Sequence, residues 1–171
     1  MKLLHKGLIA MIALVGIAST ASAQATATAN ASATIVTPIS IVNNVNMNFG
    51  NVAVQAGSGG TVVLPATAAA TRTKTGGVTL PNVTGTVTAA QFTVSGTALY
   101  TYTITLPGSA VTLASGANNM TATTFVNSSA GTLSAGGTES FYVGATLNVA
   151  AAQPAGAYTT ATPFNVTVNY N

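Results

Sequence analysis

Beyond residue 24, three side chains carry a formal charge: Arg72, Lys74 and Glu139. The one histidine, His5, lies near the start of the chain, and there is no cysteine. General acid–base catalysis needs a group whose proton affinity can be tuned near neutral pH. Glu139 by itself cannot make a carboxylate pair, and a Ser–His–Asp arrangement lacks two of its three members. Lys74 stands in a polar stretch beside Arg72, without the apolar surroundings that make a lysine nucleophilic. Zinc needs Cys, His or carboxylate ligands, and calcium needs several oxygens with carboxylates among them. The residue types therefore predict no catalytic residue, no cofactor, no metal and no enzyme activity.

Two features remain for binding. Arg72 and Lys74 lie two apart, so an extended backbone points both the same way, toward an anion or toward water. Gly57-Ser58-Gly59-Gly60 has the glycine content of a phosphate loop, but no helical pattern or Walker-type lysine follows it, so it reads as a turn.

Charged residues make up 3% of the chain, against about 25% in an ordinary soluble domain. Two cations against one anion give no footprint for nucleic acid. Polarity comes instead from Thr, Ser, Asn and Gly, and so small a net charge opposes close self-association weakly. The abundance of Val, Thr and Ile excludes a disordered chain.

The first residues have the three-part layout of an export signal. Lys2 and Lys6 open it, Gly7 to Ile17 is apolar, and Ala21-Ser22-Ala23 supplies small residues for cleavage before Gln24. The apolar run is shorter than the ~20 residues that span a bilayer. The expected organisation is a signal peptide over residues 1–23 and one domain over 24–171, without a later transmembrane segment. The expected location is periplasmic, cell-surface or extracellular.

Strand signals fill the remainder. Ala25, Ala27, Ala29, Ala31, Ala33 and Ile35 fall on one face of an alternating stretch, with Thr26, Thr28, Asn30, Ser32 and Thr34 on the other. Pro38 interrupts, Ile39 and Ile41 resume the apolar face, and Asn43-Asn44 reads as a turn. Further strands are predicted at Thr61–Leu64, Val78–Val83, Gln91–Ser95, Tyr100–Leu106, Val111–Leu113, Met120–Val126 and Glu139–Val149. Thr71–Gly77 is expected to be an exposed loop. The last strand alternates Phe164, Val166, Val168 and Tyr170 with Asn165, Thr167 and Asn169. Many short strands separated by Gly/Pro turns predict an all-β fold, an antiparallel β-sandwich.

Met47-Asn48-Phe49-Gly50-Asn51-Val52 resembles the "FG-x-V" block of two groups of exported bacterial β-domains: the domain-of-unknown-function 4402 family and the spore-coat-U-like pilins of archaic chaperone–usher pili. Pro154-Ala155-Gly156-Ala157-Tyr158 and Phe164–Tyr170 resemble the closing pattern of both. Gln91–Gly96, Tyr102–Pro107 and Val143–Leu147 are similar to blocks of the former. The resemblance implies an immunoglobulin-like sandwich. For the pilin group it also implies a periplasmic chaperone, an usher and self-assembly by strand donation from a neighbour's N-terminal extension. The chain departs from that group in lacking cysteine and in placing Thr162-Pro163 before the last strand.

The candidate partner-strand residues are thus Ala25, Ala27, Ala29, Ala31, Ala33 and Ile35 on one side, and Phe164, Val166, Val168 and Tyr170 on the other. Gln24–Val36 serves either as the first strand of its own domain or as the donated strand. The expected function is an exported structural or adhesive cell-surface subunit, pilus-like. The alternative is a monomeric secreted binding module for glycans, with Tyr100, Tyr102, Tyr142 and Tyr158 offering stacking surfaces.

Overall fold

A computed structural model describes residues 23–171, and the expected signal segment falls almost wholly outside them. The chain divides into two units, Met1–Thr34 and Ile35–Asn171. In the first, residues 23–34 form no strand and are exposed throughout.

The second unit is all-β and antiparallel. Its strands are β1 (Ser40–Val45), β2 (Ala53–Val54), β3 (Gly60–Leu64), β4 (Thr73–Lys74), β5 (Val78–Thr79), β6 (Ala90–Ser95), β7 (Tyr102–Thr105), β8 (Val111–Ser115), β9 (Asn118–Asn127), β10 (Thr138–Val149), β11 (Thr159–Thr160) and β12 (Thr167–Tyr170). Eight of them form one sheet in the order β1-β6-β10-β9-β8-β11, with β3 on β10 and β4 on β3. Two small sheets, β12-β7 and β2-β5, complete the unit.

Strand β10 organises the large sheet. Its first half, Thr138–Val143, pairs with β6, and its second half, Ala145–Val149, pairs with β3. Val143–Asn148 pairs with β9 along the opposite edge. The period-2 pattern puts Phe141, Val143, Ala145, Leu147 and Val149 on one buried face. Two cores form there. In one, Phe92 and Val94 of β6 and Phe141 and Val143 of β10 meet Tyr102 of β7, Val168 of β12 and Leu133. In the other, Val62, Leu64, Ala145, Leu147 and Val149 meet Val78 of β5, with Phe49 and Ala70. Small sheets thus cover both ends of the large one, a sandwich-like arrangement. Phe92 and Phe141 are cross-strand partners, stacked at 5.7 Å between ring centroids. Each buried Val, Leu or Phe contributes about 1.5–3 kcal/mol, in a chain with no disulfide.

Three segments differ from the sequence reading. Asn43-Asn44 is not a turn but part of β1, at a bulge where the register shifts between Asn43 and Val45. Asn43 Nδ2 donates to the carbonyls of Val45 and Gln91, at 2.9 and 3.2 Å, and so replaces ladder bonds that the extra residue displaces. Thr71–Gly77 is not wholly loop. Thr73 and Lys74 pair with Val63 and Val62, and the Thr61–Thr75 hydroxyl contact at 2.7 Å pins the turn. The strand expected over Val78–Val83 stops at Thr79, because Pro81 has no N–H for a ladder.

Candidate functional site

The single acidic side chain is committed to structure. Glu139 lies on the inward side of β10 beside Val94 and is half-buried. Its Oε1 accepts from the Ser129 hydroxyl at 2.9 Å and the Ala130 N–H at 2.7 Å. Its Oε2 accepts from the Tyr102 hydroxyl at 2.8 Å. Three donors satisfy a charge that would otherwise be costly at a core edge. Burial, with the negative charge of Glu139 adding to it, pushes the Tyr102 phenol up to about 12. The cluster holds no imidazole or amine to move a proton, and no group of three or more metal-ligating side chains occurs among the described residues.

Arg72 is likewise half-buried, not the solvated loop residue expected. Its Nη1 donates to the carbonyls of Phe49 and, at 2.9 Å, Asn51. Burial lowers the guanidinium pKa from its ordinary value. This ties β4 to the Met47–Val52 block. There Phe49 enters the core while Gly50 takes a φ of 65° with Thr84 pressed against it, where a Cβ would stand 2.3 Å from a carbonyl oxygen. The closing block is also structural. Tyr158 donates to the Pro154 carbonyl at 2.7 Å and accepts from Gln153 at 2.8 Å.

Of the four tyrosines, Tyr100 is exposed, Tyr142 and Tyr158 are half-buried and Tyr102 is buried. Tyr102 is 2% exposed. Tyr142 accepts from Gln91, Tyr158 serves its own turn, and Tyr100 packs edge-on against Tyr170.

What remains is a strand edge. Among the described residues, strand β12 pairs only with β7, and β1 pairs only with β6. Asn171 N–H donates to Thr101 O, which sets the hydrogen-bonding phase of the β12–β7 ladder. By alternation, Thr167 and Asn169 bond toward β7, whereas the N–H and C=O groups of Val168 and Tyr170 point to the open side. Tyr102, their neighbour in β7, sends its N–H the other way, to Gly131 O, as that phase requires. Half-buried apolar side chains flank this edge: Ile39 and Ile41 toward β1, Phe164, Val166 and Tyr170 along the last segment. Of the four C-terminal candidates, Val168 and Tyr170 lie in β12. Phe164 and Val166 precede it with the same inward parity, and Phe164 packs on Phe125. Ala25, Ala27, Ala29, Ala31 and Ala33 are exposed in the first unit, and Ile35 is 96% exposed.

A hydrogen-bond clamp fixes where the chain enters β1. The Tyr170 hydroxyl accepts from Thr97 N–H at 2.6 Å and donates to Thr37 O at 2.9 Å, while Thr37 N–H donates to Thr97 Oγ1 at 3.0 Å. A Cβ at position 96 would lie 2.1 Å from that hydroxyl, so a side chain there would push the Tyr170 ring out of the clamp. The sequence offers no signal for this clamp, which joins residues 133 apart. Tyr170→Phe should lower stability by about 1–2 kcal/mol, read as the urea midpoint, with the fold retained.

The described residues thus define an antiparallel all-β domain in which the last strand keeps one edge open. The chain belongs to the DUF4402 family: the family model, described as a domain of unknown function, matches residues 39–170. No curated protein and no solved structure matches it.

Proposed function

We propose that the protein is an exported structural or adhesive subunit of the bacterial surface, assembled by donating Gln24–Val36 to a second copy. The observation that carries this reading is the one-sided pairing of β12, which leaves the backbone groups of Val168 and Tyr170 open between flanking half-buried apolar residues. An added strand satisfies such groups, and alternate side chains settle into the apolar strip. Gln24–Val36 has the properties of such a strand, since it alternates, carries no charge and contains no proline. Alanine on the inserted face suits a shallow strip, and Ile35 supplies the one large side chain. Uncharged edges lack the gatekeepers that prevent such pairing.

The signal layout of Met1–Ala23 supports export. The bond from Tyr158 back to Pro154, four residues upstream, supports the immunoglobulin-like type, whose tyrosine corner has this form. In this reading the likeness to chaperone–usher pilins extends to a periplasmic chaperone that covers β12 until the neighbour's segment replaces it.

The test compares the purified exported protein with a variant lacking Gln24–Val36, by sizing and negative-stain microscopy. The intact protein should form linear oligomers. The deletion should be a folded monomer that a synthetic Gln24–Val36 peptide stabilises, raising Tm. Monomers in both preparations, with no effect of the peptide, would leave the monomeric binding module as the better account.

A further inference from the structure

The two cations of the second unit lie together, on and beside β4, while its only acidic side chain lies in the other core. Arg72 therefore has no acidic partner: Glu139 is held by Tyr102, Ser129 and Ala130. A guanidinium carries five N–H donors in a planar fork. In the structure, Nη1 alone bonds to Phe49 and Asn51. No buried polar side-chain atom among the described residues lacks a partner, so the unengaged donors are open to solvent. Arg72 also lines a groove of about 500 Å³, together with Thr71, Leu80, Pro81, Asn82 and Thr84.

We propose that this groove binds an acidic sugar, with Arg72 taking its carboxylate or sulfate. A half-buried cation whose own chain can supply no counter-ion favours an anion from outside. The planar fork suits a carboxylate or sulfate, which accept two parallel hydrogen bonds. Asn82 and the two threonines offer amide and hydroxyl groups to ring hydroxyls, while Leu80 and Pro81 form an apolar floor for the C–H face of a ring. The volume is that of an ordinary small-molecule site. The proposal does not depend on strand donation, since β12 and its edge contribute nothing to this groove.

The test is a titration of the ¹⁵N-labelled protein with glucuronate, glucose 6-sulfate and glucose at constant ionic strength, followed by NMR. Saturable shifts in the millimolar range at Thr71, Arg72, Asn82 and Thr84 are expected with either or both acidic sugars and not with glucose. Which acid binds identifies the anion. Arg72→Ala also unties Phe49 and so threatens the fold itself, which makes Asn82→Asp the deciding variant. That change is exposed and puts a like charge on the ligand in the groove. It should weaken binding roughly tenfold or more with an unchanged fold. Equal shifts with glucose, no saturation with either acid, or an unaltered Asn82→Asp affinity would overturn the proposal.

Discussion

Gly144→Ala will destabilise the protein by about 3 kcal/mol, a fall in Tm on the order of 10 °C for a domain of this size. Gly144 sits where the partner of β10 changes from β6 to β3. At that handover β3 ends and the chain turns across β10. A Cβ on Gly144 would stand 2.2 Å from Leu64 O, 2.6 Å from Pro65 C and 2.7 Å from Ala66 N. All three are backbone atoms, so no rotamer change relieves the clash. Either the Ala145–Leu64 pairing opens or the turn shifts, and both uncover the core built on Leu64 and Ala145. Gly108→Ala is the control, because nothing lies within 4 Å of its Cβ position. It should change stability by no more than about 0.5 kcal/mol. Urea unfolding of the two variants decides the matter. A midpoint for Gly144→Ala equal to that of the control would show that the handover is more plastic than its backbone contacts require.

Glu139→Ala should cost a similar amount, about 3 kcal/mol, for a different reason. The Tyr102 hydroxyl, the Ser129 hydroxyl and the Ala130 N–H would lose their shared acceptor at the edge of the core. Glu139→Gln keeps one acceptor oxygen and should lose about half as much. The same cluster sets a response to alkali. In the folded protein the Tyr102 phenol keeps its proton up to about 12, whereas the unfolded chain releases it near 10. Between those values the native state binds the extra proton, so this contribution is full below pH 10 and is lost as pH rises toward 12. The urea midpoint should fall across that window. Tyr102→Phe should flatten the fall, because it removes the titrating group while preserving the ring within the core. A slope identical in Tyr102→Phe and the parent would assign the alkaline loss to other groups.

The sequence by itself determined the fold class and most of the strands. Period-2 alternation is local, and a face that alternates Val, Phe and Leu with Thr and Asn can be buried only as a strand, as Glu139–Val149 and Gln91–Ser95 illustrate. It also determined which ionisable side chains are available, since residue types are counted without knowing where they lie. Turns were legible wherever glycine or proline carried them. They were misread at Asn43-Asn44, where the Asn43 side chain replaces ladder bonds at a bulge that only the β6 partner defines.

Tertiary structure alone decided how the few polar groups are used. Glu139 and Tyr102 meet across 37 residues, and Thr37 and Tyr170 across 133. Such separations leave no periodic trace, because either partner would read the same in a strand that faced water. Tertiary structure also decided which strand keeps an open side. Val168 and Tyr170 look like any alternating pair in the sequence, and their backbone groups are free only because β7 takes the other edge and no strand of the second unit takes theirs. Pairing is a property of neighbours, and neighbours are chosen by the whole fold.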